Sequence, residues 1–428
     1  MRSPRRAAAS TPPASSPSGT GVRVRRTEPG CPVRLFISRQ EHLRRRAAAL
    51  AEAARRACDG LVLFGPTPIF YLTGFAFIAT ERPIALAATP TETVLFVPRL
   101  EEEHAVEHAV ADRVVSYPEY PTERHPMLRL AELLTAMGAA TMRLAVDGDG
   151  YPGIMGYRGP RLSEVLPDAS FSPARDLIED MMMVKSEEEL ALIRESCRWG
   201  HLAHQLLQDY TAPGEIESEV GQRASADATR AMVRALGPAY RPLSWTSPGA
   251  RAGFRGQVGK ASAIPHAMTN NLRIQRGDVL VTGAAAAVGG YTSELERTMI
   301  VAPVSAEQRR FFDLMVGAQD AAFDAIRPGR PCSEVDRAVR AFFDRHDLMP
   351  YWRHHVGHAL GVGIHEAPFF DVGDATEMRP GMVFSVEPGI YVPGFAGFRH
   401  SDTIVVTETG FEMLTYYPRD LASLTIDG

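Results

Sequence analysis

The chain has 428 residues, of which 45% are hydrophobic and 23% are charged, and its formal net charge is −5. That length allows two or three domains with hydrophobic cores, and the charge balance does not favour binding to nucleic acid or to a membrane surface. No apolar run reaches the length of a membrane span. The four cysteines form no Cys-x-x-Cys pair, which argues against a disulfide framework and predicts a cytoplasmic location.

Residues 1–33 differ in composition from the rest of the chain. They carry six arginines against one acid, Glu28, with Pro, Ser, Ala and Thr between them. Such a segment cannot bury enough apolar surface to fold by itself. The sequence therefore predicts a disordered basic tail.

Residues 34–180 alternate between helical and strand-like patterns, which predicts an N-terminal α/β domain. Ser38 is the expected N-cap of its first helix. The expected helices are 38–59, 99–111 and 126–137, and the expected strands are 61–64, 83–88, 93–97, 112–117 and 142–147.

Residues 181–428 form the second predicted domain. Ser186 followed by three glutamates is a capped and acid-rich helix start, and it marks the boundary between the domains. The expected helices are 186–210, 214–236, 305–326 and 332–346, with β-structure dominating beyond residue 245. The whole chain is thus predicted to have a mixed α/β (α+β) fold.

The stretch 277–301 is predicted to be a β-hairpin that turns at Gly289-Gly290. Because side chains alternate along a strand, Glu294 and Glu296 share one face. Two neighbouring carboxylates in a half-buried place need a metal ion, a cationic ligand or a shared proton to offset their repulsion. The alternative is an exposed edge strand with two solvated glutamates.

Other polar side chains in the second domain could share a site with these two acids. The glycines around the histidine-rich segment 354–365 disfavour a helix and indicate an extended strand with close backbone approach. Glu387 follows an apolar run and would be costly to bury without a partner. The candidates are His266, Glu294, Glu296, His354, His355, His358, His365, Glu387 and Arg399.

These clusters, in this order and spacing, resemble the creatinase, prolidase and aminopeptidase P family, whose catalytic domain has the pita-bread fold. The resemblance covers essentially the whole chain after the tail. The metal-dependent members of that family hold two divalent ions through two aspartates, a histidine and two glutamates. Those five positions are Gly283, Glu294, His358, Glu387 and Ser401 in this chain, so two ligands are missing and one is lengthened.

The creatinase branch of that family works without a metal, and its signature is present as Leu295-Glu296-Arg297-Thr298. This resemblance implies that His266 acts as general base and then as general acid, while Glu296 and Glu387 hold a cationic substrate. It also implies a homodimer in which Arg82 of one subunit reaches the site of the other. Phe369 stands where a second substrate-binding arginine is expected, which puts creatine itself in doubt.

The leading prediction is therefore a metal-independent hydrolase that cleaves a C–N bond of a small cationic or guanidino-like molecule, with His266, Glu296 and Glu387 as catalytic residues. The expected substrate-binding residues are Arg82, Glu294, His354, His358, His365, Phe369 and Arg399. An alternative to substrate binding for Arg82 is a surface arginine in a Glu-Arg-Pro turn. For Arg399, the alternative is a structural ion pair with Asp402.

Two alternatives to the leading function stay open. The first is an Xaa-Pro peptidase with one divalent ion held by Glu294, His358 and Glu387, with His400 as a further candidate ligand. The second is a non-catalytic pita-bread module that binds peptides or proteins.

Overall fold

The structure, a computed structural model, describes residues 34–152, 155–244 and 249–427. The predicted basic tail of residues 1–33 lies outside the described residues. None of the described helices combines the length and the apolarity that crossing a lipid bilayer requires.

The N-terminal region is built on one mixed sheet with the strand order β4-β3-β2-β1-β5-β6. Its strands are β1 (Gly60–Leu63), β2 (Ala85–Ala88), β3 (Thr93–Pro98), β4 (Arg113–Tyr117), β5 (Arg143–Val146) and β6 (Ser170–Pro173). Its helices are α1 (Arg39–Arg55), α2 (Pro66–Thr73), α3 (Glu102–His108), α4 (Pro126–Ala136), α5 (Leu162–Val165) and α6 (Arg175–Met183). Separate apolar clusters cover the two faces of this sheet, as expected for central strands that read as continuous hydrophobic runs.

The C-terminal region contains a larger sheet with the strand order β10-β9-β11-β18-β15-β13-β14, extended by β7 beside β9 and β19 beside β18. Its helices are α7 (Glu187–Tyr210), α8 (Glu217–Leu236), α9 (Ala306–Ala325) and α10 (Ser333–Arg345). Its strands are β7 (Ala250–Gly253), β8 (Val279–Val281), β9 (Gly283–Val288), β10 (Tyr291–Thr292), β11 (Leu295–Glu296), β12 (Thr298–Val301), β13 (Gly357–Ala359), β14 (Glu366–Phe370), β15 (Val383–Val386), β16 (Gly389–Val392), β17 (Ala396–Arg399), β18 (Ser401–Val406), β19 (Phe411–Met413) and β20 (Thr425–Ile426).

Helix starts agree well with the caps read from the sequence. Ser38 accepts a hydrogen bond from the Glu41 amide, and Ser186 forms a reciprocal capping box with Glu189, which satisfies amides that a helix start leaves without partners. The helix predicted from 214 begins instead at Glu217, because Gly214 has a φ of +94° that an α-helix cannot include. The sequence also missed α2, whose aromatic run is short and mostly buried.

The predicted hairpin is present and tightly constrained at its turn. Tyr291 pairs with Val288 across Gly289 and Gly290, which have φ values of +57° and +85°. An added Cβ would lie 2.7 Å from Leu35 O at Gly289 and 2.3 Å from Phe70 Cζ at Gly290. The turn therefore requires glycine for both backbone conformation and space.

Candidate active site

The candidate site lies across neighbouring strands of the large sheet, which brings together residues that are more than a hundred positions apart in the sequence. Glu294 immediately precedes β11, and Glu296 ends it. In the next strand, β18, Ser401 pairs with Glu296. Glu387 follows β15, which pairs with β18, and His358 lies on β13, which pairs with β15. The strand order alone thus explains why these acids and this imidazole meet.

His358, Glu294, Glu387 and His365 form what we call the ligand half of the cleft. The fully buried His358 has its Nδ1 3.1 Å from the carbonyl oxygen of Ala359, which can only accept a hydrogen bond. The Nδ1 atom therefore carries a proton, and Nε2 is the atom presented to the cleft. His358 Nε2 lies 3.1 Å from Glu387 Oε1 and 3.8 Å from Glu294 Oε2, without the alignment of a hydrogen bond.

The acids and the imidazole of the ligand half perturb one another. Burial would lower the pKa of His358, but the carboxylates of Glu387 and Glu294 outweigh it and raise that pKa to about 9. Burial and the charge of Glu387 raise the pKa of Glu294 to about 7. Burial acts against ionisation of Glu387 as well, yet His358 and Arg399 hold its pKa below the usual range. Such opposed shifts within one cleft are typical of functional sites.

His365 completes the ligand half from the cleft wall. Its ring stacks on the ring of His358, with centroids 3.6 Å apart and planes 15° apart. Burial, together with the charge of His358, lowers the pKa of His365 to about 4, so this imidazole is neutral at pH 7. One ligand atom each from Glu294, His358 and His365 lie within 4.8 Å of one another, and the same holds for Glu294, Glu296 and Glu387.

Glu296 and Arg399 form what we call the paired half of the cleft. Arg399 is buried and donates from Nη2 to Glu296 Oε1 at 2.7 Å, and its Nε contacts the other oxygen of that carboxylate. Arg255 donates to the same Glu296 Oε1 at 3.0 Å. Arg399 also donates to the Tyr391 hydroxyl at 2.9 Å, and that hydroxyl lies 2.9 Å from His354 Nε2. Glu296 is therefore neutralised within the chain.

Gly283 lies against this paired half. A Cβ added to Gly283 would lie 3.4 Å from Glu296 Oε1. The Glu296 carboxylate thus fills space that a longer side chain at position 283 would need. On β18, the short Ser401 side chain donates to Glu294 Oε1 at 2.7 Å.

Comparison with known proteins gives the family. Residues 191–408 match the metallopeptidase family M24, and residues 45–184 match the creatinase/prolidase N-terminal domain. The chain belongs to metallopeptidase family M24. The resemblance read from the sequence, the two-part α/β fold with a pita-bread catalytic region and the prediction of a hydrolase acting on C–N bonds are all confirmed.

Several relatives in this family match over nearly their full lengths. The Xaa-Pro dipeptidase of Pyrococcus furiosus is 28% identical over 363 residues, which cover 85% of this chain and 95% of that protein. The probable dipeptidase PepE of Mycobacterium bovis is 29% identical over 384 residues, covering 89% and 96%. The crystal structure of dipeptidase PepE from Mycobacterium ulcerans superposes with a TM-score of 0.77 at 28% identity, covering 92% of this chain and 100% of that one.

M24 peptidases normally use divalent metal ions, so the fit of this cleft to such ions matters. The ligand half fits one ion, because the buried Nε2 of His358 has no hydrogen-bond partner among the described residues and faces two carboxylates. The paired half does not fit a second ion, because the Arg399 guanidinium already neutralises Glu296. Gly283 and Ser401 also lack the carboxylates that would bridge two ions.

The structure does not bring every predicted residue into this M24 cleft. His266 is exposed and makes no hydrogen bond within the described part of the chain, although it has a small electrostatic effect on the pKa of His365, after burial, His358 and His355. Arg82 donates to Glu119 at 2.7 Å and to Glu81 at 2.5 Å in the N-terminal region, as expected for a surface arginine. Phe369 packs against the ring of His355 at 5.5 Å.

Two pairings considered from the sequence are wrong. Asp402 pairs with Arg297 at 2.8 Å and not with Arg399, which turns into the cleft toward Glu296. His400 is fully buried beside β12, where its Nδ1 accepts from the Thr298 amide at 3.2 Å. Because neighbours on a strand alternate faces, His400 lies on the side away from Arg399 and is no replacement ligand.

Sequence reasoning missed two residues that contact the paired half, Arg255 and Tyr391. Arg255 belongs to no motif, and its left-handed backbone, with a φ of +52°, gives no signal in the sequence. Tyr391 has a signal, because it lies four residues after Glu387 on the strand that pairs with the one carrying Arg399. A polar residue on one strand of a hairpin is expected to contact a charged residue on the paired strand.

Proposed function

We propose that the chain is a dipeptidase that cleaves short peptides of the Xaa-Pro type with a single divalent ion. The observation that carries this proposal is the ligand half of the cleft, where His358 Nε2 faces Glu294 and Glu387 with no hydrogen bond of its own. Glu294, His358 and Glu387 would hold the ion, with His365 as a fourth candidate. The names of the M24 relatives support the substrate class.

A divalent ion held there would polarise the peptide carbonyl and lower the pKa of a water molecule. Before a cation can bind, the Nε2 proton that the raised pKa keeps on His358 has to leave, so affinity rises with pH. Ser401 orients Glu294 through the hydrogen bond to Oε1. If His365 does not hold the ion, its ring, neutral at pH 7, would be available to hydrogen-bond the substrate.

The metal-independent prediction receives less support from this geometry. It requires Glu296 and Glu387 to hold a cationic substrate, whereas Glu296 already accepts hydrogen bonds from Arg255 and Arg399. It also requires His266 beside these acids, whereas His266 is exposed and makes no hydrogen bond to them among the described residues. A substrate guanidinium would therefore have to displace the chain's own arginines.

Turnover of a dipeptide panel with and without chelator tests the proposal. We expect hydrolysis of Xaa-Pro dipeptides, its loss after chelation and its return with a divalent ion, while creatine and other guanidino compounds remain intact. Hydrolysis of a guanidino compound that chelation does not affect would overturn the proposal in favour of the metal-independent mechanism. Binding of peptides without turnover under any condition would favour the non-catalytic module.

Several narrower predictions accompany this proposal and stay predictions. They are the division into residues 34–180 and 181–428, the homodimer with Arg82 near the partner's site, and the cytoplasmic location. Arg82 forms ion pairs with Glu81 and Glu119 of its own chain. Both ion pairs have to break before Arg82 can bind a substrate in the partner's site.

A further inference from the structure

A cleft of about 640 Å³ adjoins the ligand half and has basic side chains on one wall. The strand β7 forms this wall, where it pairs with β9 so that Arg251 lies opposite Ala285 and Gly253 opposite Gly283. Glu294, Glu296 and His365 line the same cleft. A substrate held at the ligand half would therefore extend along β7.

Arg251 is the unusual group on this wall. It is exposed to the cleft and makes no hydrogen bond or ion pair within the described residues. Its neighbour Arg255 is instead engaged with Glu296. A Cβ added at Gly253, two residues further along β7 on the same face, would meet nothing within 4 Å. The face of β7 that carries Arg251 is therefore open beside it.

The charges nearby leave Arg251 without a counter-ion once the site is loaded. Arg255 and Arg399 together neutralise Glu296. Glu294 is the acid with the largest electrostatic effect on Arg251, but a divalent ion bound to Glu294 would offset the charge of its carboxylate. A cation in a concave, partly desolvated wall then favours an anionic group of the ligand.

We propose that Arg251 binds a carboxylate of the peptide substrate and so selects substrates that carry one at this position. The inference rests on the proposed peptidase function for the identity of the ligand. Two carboxylates have the required chemistry: the C-terminal carboxylate of a dipeptide, and an acidic side chain on its first residue. Guanidinium recognition of either is planar and bidentate, which lysine does not reproduce fully.

Two matched peptide pairs test the proposal and separate the two sources. Glu-Pro against Gln-Pro changes the side-chain charge, and Ala-Pro against Ala-prolinamide changes the terminal charge. Hydrolysis gives kcat/KM for each peptide, and calorimetry with the uncleavable reduced-amide form of each, at a fixed Mn²⁺ concentration, gives Kd without turnover. The variants are Arg251→Met, Arg251→Lys and the control Arg276→Met, which removes an exposed arginine without an ion pair in the described region.

We expect the wild type to prefer the carboxylate member of at least one pair by about 10- to 100-fold, the range for a hydrogen bond to a charged group. Arg251→Met should reduce that preference to within about twofold, Arg251→Lys should restore part of it, and Arg276→Met should leave it unchanged. The effect should fall mainly on KM and Kd. The pair that responds identifies which carboxylate Arg251 binds.

A wild type without preference in either pair, or a preference that Arg251→Met leaves intact, would overturn the proposal. Failure of the proposed function looks different. In that case no peptide is hydrolysed, yet calorimetry would still show a preference that depends on Arg251. If wild type and Arg251→Met hydrolyse all four peptides at the same rates, the proposed peptidase function stands and the carboxylate subsite is rejected.

Discussion

The two halves of the cleft are built from the same kinds of residue but differ in how their charges are balanced. In the paired half, the Glu296 carboxylate is neutralised by Arg399, which is buried to 3% exposure, and by Arg255. In the ligand half, Glu387 and Glu294 share one imidazole, and His358 Nε2 has no hydrogen-bond partner among the described residues. One half is balanced by a permanent guanidinium, and the other by an imidazole that titrates and can exchange its proton for a metal ion.

This difference teaches that counting carboxylates in a cleft does not give its metal content. An M24 protein with two ions would have an aspartate at position 283, where this chain has Gly283. Glu296 places a carboxylate near that position, but Arg399 already pairs with it. The guanidinium of Arg399 supplies the counter-charge in place of a metal ion, and a chelator cannot remove it. The position of each cation, and not the number of acids, therefore decides how many ions the cleft can hold.

Removing the imidazole should have the largest effect on the ligand half. We expect His358→Ala to weaken binding of a divalent ion by more than about 100-fold, beyond the range for residues that only orient a ligand, and to abolish peptide hydrolysis. Calorimetric titration with Mn²⁺ checks this, with unfolding measured alongside. Unchanged ion affinity in a folded His358→Ala protein would contradict the assignment.

Removing the internal cation should have the next largest effect, this time on the paired half. Arg399→Met leaves Glu296 buried with one exposed arginine, so we expect a loss of about 3–5 kcal/mol in the free energy of unfolding. Urea unfolding measures it. The double variant Arg399→Met with Glu296→Gln should recover much of the loss, because the stranded charge is gone. A single variant that loses less than about 1 kcal/mol would show that Arg399 is not the counter-ion of Glu296.

The pH dependence of the chelated protein should distinguish the halves as well. The folded-state pKa of His358 is raised to about 9, so its stabilising contribution is complete below its unfolded pKa near 6.5 and is lost as pH rises through 9. We expect the chelated protein to lose on the order of 2 kcal/mol of stability between pH 7 and 10. The paired half contributes nothing to this trend, because arginine does not titrate there. A stability that is flat over this window in wild type, or equally steep in His358→Ala, would refute the prediction.

The smallest effect should come from the residue that orients a ligand. Ser401→Ala removes the hydrogen bond to Glu294 Oε1 but no ligand atom, so we expect about a 10-fold loss of ion affinity and an intact fold. Titration with Mn²⁺ measures it beside Thr407→Ala, an otherwise similar change outside the cleft. A loss as large as that of His358→Ala would mean that Ser401 itself holds the ion.

Much of the cleft could be predicted from the sequence, because strand alternation and spacing identify residues that share a face. Strand alternation puts Glu294 and Glu296 on one face, the family resemblance implies that His358 and Glu387 share a site, and the capped helix starts at Ser38 and Ser186 follow from local signals. These features depend on neighbours in the sequence or on motif spacing, which a single chain displays directly.

The charge partners could not be predicted in the same way. The sequence suggests Asp402, three residues away, as an alternative partner for Arg399, but β18 places Asp402 against Arg297 and leaves Arg399 to pair with Glu296. Arg255 reaches Glu296 from 41 positions away. Which acid an arginine meets depends on which strands are adjacent, and that order is a property of the assembled sheet.

The most direct test of the account is the number of divalent ions that the purified protein holds, measured by native mass spectrometry together with elemental analysis. The account predicts one ion per chain at saturation, lost in His358→Ala and retained in Glu296→Gln. Two ions per chain in the wild type would contradict it, because the Arg399–Glu296 pair and a second ion cannot occupy the same half of the cleft.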